Sequence, residues 1–390
     1  MVKVNFIGEN KAILVQKGTT ILAAAQELGI VIESPCNSEG VCGKCKVKIS
    51  QASLKNIEEY GKHQLPEEEK EQGFVLSCQT KVTGHVDVKA VAKNRNKTLQ
   101  ILNHGQSFDI DVNSFIKKEY TGNGKTIVIA GGQILGEEEG DTAAQNYGVV
   151  VDIGTTTLVA TLVNINTGAE LHSVSALNPQ SLHAQDVLSR IKFASDEKGL
   201  DSMYSMIIKE LNKLIEKAAS HIGIDQKHIY EVIFSGNTCM IHLAAKVNPY
   251  SLGKYPYTPA ITGGSSLSYE EHLLNISEFG SIYLPPIISS FVGPDITSGV
   301  LATRLQDKEQ VTLFVDIGTN GEMVLSDHGA LTVTSTAAGP AFEGMNIAYG
   351  MRAEKGAIEY FEIDERGEIE ISPRSSISKY SIAPFSARIP

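Results

Sequence analysis

The chain has 390 residues, 42% of them apolar, with 35 glycines and 13 prolines, which is enough to bury more than one core and reads as globular α/β protein. Its formal charge of −11, without clustered Lys and Arg, argues against nucleic acid as a partner. No run of 18 apolar residues occurs, so no membrane span is expected, and the alternating start Met1-Val2-Lys3-Val4-Asn5-Phe6 is no apolar leader; a reducing, cytoplasmic setting is expected.

Val2, Val4 and Phe6 alternate with polar positions, Gly8-Glu9-Asn10 supplies a turn, and Ala12 to Val15 returns as the second strand of a hairpin. A short helix follows, with Thr19 or Thr20 at its start, Leu22, Ala25 and Leu28 on one face, and Gly29 at its end. Next come Cys36, Cys42 and Cys45, with Cys78 further on, in the pattern C-x5-C-x2-C-x32-C; Cys239 is the fifth cysteine of the chain. Three thiolates on one loop and a fourth from a distant strand suit a 2Fe-2S cluster, whose two irons share four ligands. Structural zinc, which favours paired C-x2-C units, fits less well, and a disulfide framework does not suit a reducing compartment. Gly40 and Gly43 permit the dihedrals needed where backbone amides approach inorganic sulfide.

Residues 1–92 resemble the 2Fe-2S ferredoxins of β-grasp fold. The five-residue first gap lies nearer the adrenodoxin pattern than the plant-type one, which leaves the subclass open.

From 93 to 147 the pattern weakens. Lys93-Asn94-Arg95-Asn96-Lys97, Thr121-Gly122-Asn123-Gly124 and Glu137-Glu138-Glu139-Gly140-Asp141 mark turns and solvated stretches, and the segment reads as a linker region with a few strands. Beyond it, Gly148-Val-Val-Val-Asp152-Ile-Gly154-Thr155-Thr156-Thr157-Leu-Val-Ala recurs as Leu313-Phe-Val-Asp316-Ile-Gly318-Thr319-Asn320-Gly321-Glu322-Met-Val-Leu. Each copy is an apolar strand, a tight Asp-Ile-Gly-Thr turn and a second apolar strand. The glycine allows close approach of a ligand, hydroxyls and amides can cradle phosphate oxygens, and the aspartate can hold hydrated Mg²⁺. One Asp-x-Gly turn is ordinary; two copies point to duplicated lobes facing one nucleotide. Between them, Met203, Ile207, Leu211, Leu214 and Ala218 repeat at helical spacing up to Gly223, and Ile229 to Phe234 reads as a strand entering the turn Ser235-Gly236-Asn237-Thr238.

The repeated turn resembles the phosphate hairpins of the actin-like ATPase superfamily, with RNase-H-like lobes at 148–310 and 311–390. On that resemblance Asp152 and Asp316 are the catalytic, Mg²⁺-holding carboxylates, and Gly154, Thr155, Thr156, Thr157, Gly318, Thr319, Asn320, Glu322 and Gly339 contact ATP. Asn178-Pro179-Gln180, Asp186-Val187-Leu188-Ser189-Arg190-Ile191, Gly236-Asn237-Thr238-Cys239-Met240, Val292-Gly293-Pro294-Asp295-Ile296 and Ala338-Gly339-Pro340-Ala341-Phe342-Glu343-Gly344 complete a pattern similar to the reductive activators of corrinoid proteins. That family implies an iron–sulfur, ATP-dependent reductase that takes a corrinoid protein of a methyltransferase system from cobalt(II) to cobalt(I), supplied by an electron-donor protein. The stretch after Asp316 is expected to be too short for a whole second lobe and lacks the glycine-rich adenosine segment, as in a C-terminally truncated form. That gives a second reading: a non-hydrolysing iron–sulfur electron carrier with a degenerate actin-like docking domain.

Other residues have plainer readings. Cys239, beside Met240, Ile241 and Leu243, is a small buried residue. His183 and His242 read as surface or core histidines. Glu67-Glu68-Glu69 and Glu137-Glu138-Glu139 read as solvated faces, and Glu322 and Glu343 either orient water or Mg²⁺ or serve as structural partners of backbone amides.

Overall fold

The structure is a computed structural model; it describes residues 1–30, 32, 34, 38, 40, 43, 45–59, 65–90, 112–268, 271–318 and 320–336, and the backbone of 358–363 and 369–373. The turn expected at 93–97 and the stretch after 373 lie outside these residues. Two compact units are present, one built on the N-terminal strands and the other on the described parts of 112–180 and 190–336.

In the first unit β1 (Val2–Phe6) and β2 (Lys11–Val15) form the expected hairpin, turned by Asn10 in the left-handed region. The helix α1 (Ile21–Glu27) starts where Thr20 Oγ1 accepts from Ala23 N. β3 (Lys46–Ile49), β4 (Ile57–Glu59), α2 (Glu67–Glu71), β5 (Phe74–Leu76), β6 (Thr80–Val82) and β7 (Val86–Ala90) follow. A mixed sheet of order β2-β1-β7-β3-β5 has β1 and β7 parallel, and β4 pairs separately with β6. Alternation places Val2, Val4 and Phe6 inward on Ile21, Ala24, Ala25, Val47 and Val88, the core that seats α1 on the sheet.

The second unit opens with β8 (Ile116–Tyr120), β9 (Lys125–Ala130) and β10 (Gln133–Glu139), an antiparallel meander inside the segment read from sequence as a linker with a few strands. Its inner face packs Ile116 and Val128 on Tyr230. Glu138 departs from the solvated reading of its acidic run. It pairs with the buried Lys118 at 2.8 Å and accepts from Tyr230 Oη at 2.5 Å and Thr142 Oγ1 at 2.5 Å, whereas Glu137 stays outside and pairs with Lys125. Alternation along β10 makes the difference: adjacent residues face opposite sides, and only the middle glutamate of the run meets the lysine.

β11 (Tyr147–Ile153), β12 (Thr157–Asn164) and β13 (Ala169–Leu177) form a second antiparallel meander. After it come α3 (Val187–Phe193), α4 (Glu197–Ile222), β14 (Ile229–Ser235), α5 (Thr238–Ala244), β15 (Ser265–Leu267), β16 (Ser281–Leu284) and α6 (Pro294–Ala302). The sheet order is β13-β12-β11-β14-β16-β15, with β14 parallel to β11 and β16 parallel to β14. α4 is the helix the periodicity predicts: Met203, Ile207, Leu211, Leu214 and Ala218 are buried, it lies on β12 and β13, and Gly223 ends it with φ +79°. β17 (Thr312–Ile317), β18 (Gly321–Asp327) and β19 (Ala330–Thr336) make a third sheet, whose inner face packs Phe314, Val324 and Val333 around Val292, Ile296 and Leu305. Its other face leaves Leu313, Val315, Ile317 and Leu325 exposed. Last come β20 (Ile358–Ile363) and β21 (Ile369–Pro373), an antiparallel pair.

Candidate functional site

Two sites are built from the motifs, one in each unit. In the first, Cys45 precedes β3 and Cys78 follows β5; because β3 and β5 pair, the two thiols meet, with Cys45 Sγ donating to Cys78 Sγ at 3.3 Å. That separation is far beyond a disulfide bond of about 2.05 Å, and both thiols are buried. The hydrogen bond to Cys78 chiefly lowers the Cys45 thiol, to about 6, against the upward push of burial. Ser77 N donates to Cys45 O at 3.0 Å, which locks Ser77 between the two cysteines, and its buried hydroxyl lies beside the Cys45 thiol and helps to lower it. Gln79 Nε2 donates to Ser38 O at 2.5 Å, and Gly40 and Gly43 take positive φ, as the sequence requires. Converging thiols beside a buried hydroxyl donor fit an iron–sulfur cluster, which accepts hydrogen bonds at sulfur. Cys36 and Cys42 lie outside the described residues.

In the second unit the two Asp-Ile-Gly-Thr segments form the hairpins β11–β12 and β17–β18. Asp152 is the last residue but one of β11, Asp316 the last but one of β17, and Glu322 lies opposite Asp316 in register. A fourth carboxylate joins them. Asp295, quoted in the sequence within Val-Gly-Pro-Asp-Ile but given no role there, stands in the first turn of α6. Gly293 sets this approach: a Cβ there would lie 2.5 Å from Thr238 N and 2.7 Å from Gly236 O, so only glycine lets α6 start against the Gly236 turn. At the far end of α6 a Cβ on Gly299 would strike the Phe314 ring at 2.6 Å, so the helix also lies close on β17.

Carboxylates gathered in this way resist ionisation. Burial first, then Glu322, Asp316 and Asp152, push Asp295 up to about 7, against the downward pull of the Ile296 amide. Protein crowding and Asp316 push Asp152 up to about 6, although Asp152 keeps contact with solvent. Burial likewise raises Asp316 and Glu322, and Ser335 Oγ donates to Glu322 Oε1 at 3.1 Å. Among the described residues no three His, Cys, Asp or Glu side chains close to metal-ligand spacing.

The turns themselves are tied down. Thr155 is buried, and its Oγ1 accepts from Asn237 Nδ2 at 3.2 Å. Gly154 O accepts from Asn178 Nδ2 at 2.8 Å, Thr156 O accepts from Asn178 N at 2.8 Å, and Thr157 opens β12. Gly318 N donates to Asn320 O at 2.9 Å. Thr319, Gly339 and Glu343 lie outside the described residues. Cys239 is buried at the start of α5, as expected, and His242 is a core histidine: its Nδ1 meets Thr238 O at 2.8 Å and its Nε2 accepts from Ala260 N at 3.0 Å. His183 is exposed, as a surface histidine is expected to be.

Residues 147–308 match the RACo middle region, residues 310–382 match the C-terminal domain of RACo, the ASKHA domain, and residues 4–83 match the 2Fe-2S iron–sulfur cluster binding domain. The chain belongs to the RACo family. The RACo fold here is a ferredoxin-like N-terminal domain with actin-like, RNase-H-like lobes. A solved structure titled reductive activator for corrinoid, iron-sulfur protein is similar at 28% identity and a TM-score of 0.62, over 95% of this chain and 69% of that one. The corrinoid activation enzyme RamQ of Eubacterium limosum is 37% identical over 214 residues, which is 55% of this chain and 36% of RamQ. The Co(II) methylated amine-specific corrinoid protein reductase of Methanosarcina barkeri is 27% identical over 221 residues, 54% of this chain and 40% of that protein. The chain thus spans about two-fifths of the length of these curated relatives. No described helix is long and apolar enough to cross a membrane.

Proposed function

We propose that the chain performs ATP-dependent reductive activation of a corrinoid protein of a methyltransferase system, returning cobalt(II) to cobalt(I) with an electron passed through a 2Fe-2S cluster. The observation that carries this reading is the presence in one RACo-family chain of a converging cysteine pair and of two Asp-Ile-Gly-Thr hairpins whose carboxylates crowd one another. The relatives' names, which speak of corrinoid activation and corrinoid protein reduction, support it.

In this reading 1–92 is the cluster domain, with Cys36, Cys42, Cys45 and Cys78 as ligands, 93–147 joins it to the lobes, and 148–310 and 311–390 supply the nucleotide site. Asp152 and Asp316 hold hydrated Mg²⁺. Residues Gly154 to Thr157 and Gly318 to Asn320 receive the phosphates, Gly339 lies towards the nucleoside, and Glu322 and Asp295 orient water near the γ-phosphate. The cluster supplies one-electron chemistry, and an electron-donor protein in a reducing compartment refills it. Nucleotide is needed on energetic grounds. A plant-type 2Fe-2S centre sits near about −400 mV, and each 59 mV that cobalt(II) lies below it costs about a factor of ten in equilibrium constant.

The test uses the anaerobically reduced chain and a cobalt(II) corrinoid protein, with formation of cobalt(I) followed by its absorbance. Cobalt(I) that accumulates with MgATP and not without it is the expected result. Equal reduction in both would replace this reading with that of an electron carrier bearing a docking domain.

A further inference from the structure

Three successive carbonyl oxygens of the first Asp-Ile-Gly-Thr turn are held by two residues from elsewhere. Asn178 Nδ2 takes Gly154 O, Arg190 Nη2 takes Thr155 O at 2.5 Å, and Asn178 N takes Thr156 O. In a trans peptide the N–H points opposite to the C=O. The amides of Thr155, Thr156 and Thr157 are therefore turned away from Asn178 and Arg190. A flip of any of these planes would put a carbonyl oxygen where an anion's oxygen has to sit.

Arg190 has no exposed surface. Besides Thr155 O, its guanidinium meets Gln180 Oε1 at 3.1 Å and Met240 Sδ at 2.8 Å. Gln180 is fixed in turn, its N donating to Asn178 Oδ1 at 3.0 Å and its Nε2 to Met203 O of α4 at 3.0 Å. Met240 stands on α5, just after Asn237, which reaches Thr155 Oγ1. Burying a guanidinium is costly, and a position needed only to fill the core would suit an apolar side chain. Here the charge is placed on the main chain of the turn, in a fork that links it to α4 and α5. Asn178, Gln180 and Arg190, from segments conspicuous in the sequence but without a task, thus meet behind one loop.

We infer that Arg190 is a positioning residue for phosphate binding: with Asn178 it fixes the peptide planes of 154–157 so that their N–H groups face the phosphates of the nucleotide. This rests on the nucleotide reading above and adds a residue that touches no ligand.

The experiment is calorimetric titration of the full chain with MgATP and, separately, AMP, on wild type, Arg190→Gln and Arg190→Lys. Arg190→Gln is expected to weaken MgATP about tenfold, the loss of one charge-assisted hydrogen bond, and AMP far less, because the turn serves the outer phosphates. Arg190→Lys keeps the charge but not the fork and should fall between. Unchanged MgATP affinity, or equal losses for MgATP and AMP, would overturn the inference while leaving the nucleotide reading intact. Wild type that binds neither ligand overturns both. If Arg190→Gln shows no cooperative melting, Arg190→Lys decides alone: an MgATP affinity equal to wild type sinks the idea, and a selective loss upholds it.

Discussion

Asp295, on α6, owes its raised pKa first to burial and then to carboxylates on three strands, β18, β17 and β11. For an acid the sign is firm. A folded-state pKa above the unfolded value means that the folded chain binds more protons, so stability falls as pH rises from about 4 towards 7. Mg²⁺ that replaces those protons should reverse the trend. The thermal midpoint is expected to rise on adding Mg²⁺ with nucleotide at pH 7.5 and to change much less at pH 5. Asp295→Asn should raise the midpoint of the ligand-free chain at pH 7.5 and cut ATP turnover by a factor of about 10²–10⁴, the range for a positioned acid–base group; a midpoint that does not rise would deny the crowding. Ser77 makes a second residue-level prediction. Its buried hydroxyl, once donated to cluster sulfur, would favour the reduced form, so Ser77→Ala should move the cluster's midpoint potential to a more negative value in a spectroscopic titration, and an unchanged potential would leave the hydroxyl without that role. Asp152, Asp316 and the cysteines stood out as candidates because each sits in a repeated or spaced motif. Asp295, Arg190 and Asn178 had no such signal: their proximity is one that only the tertiary path creates, and the glycine before Pro294 was the nearest clue to it.

Among the elements, the β8–β10 meander departs most from what its sequence suggests. Alternation and turns disclosed strands, yet its polar segments read as a linker, since nothing local says that Lys118 and Glu138 meet a tyrosine from β14. Lys118 Nζ lies 2.6 Å from Tyr230 Oη and donates to Gln145 O at 3.0 Å, and Tyr230 Oη also faces His228 Nδ1 at 3.2 Å. Burial, and then Glu138, drives the Tyr230 pKa well above its usual range; burial lowers Lys118 and His228, and the bonds from Lys118, Thr142 and Tyr230 leave Glu138 below its usual value despite burial. Acid therefore threatens this sheet. His228 protonates more readily in the unfolded chain, whose pKa is about 6.5, and Glu138 near about 4.3, so stability held here is lost as pH falls through those ranges. Glu138→Ala strands a buried ammonium and is expected to cost about 3–5 kcal/mol in urea denaturation, whereas Lys118→Met with Glu138→Leu should cost far less. Equal losses in the single and the double variant would mean that the pair is not what joins β8–β10 to β14.

At the scale of the molecule the proposed cluster and nucleotide sites fall in different units, and their chemistry is expected to be separable. Cys45→Ser is expected to abolish the visible absorption of the cluster while MgATP affinity stays within about twofold, a change of under 1 kcal/mol. Asp152→Asn should do the reverse, and loss of both properties in either variant would contradict two independent sites. α4 and the repeated turns were readable because period and repetition are local properties. The exposed outer face of β17 and β18, with Leu313, Val315, Ile317 and Leu325, has a period of two as well, but alternation alone does not say which face a second layer covers.

Lys118 has a use beyond stability. Its side chain has no solvent exposure, while its neighbour Lys117 on the same strand is exposed. An acylating reagent in water will therefore modify Lys117 at once and reach the Lys118 amine only when β8 lifts from β14. The ratio of the two modified lysines in a single peptide is a built-in clock for that opening, read by mass without any introduced label.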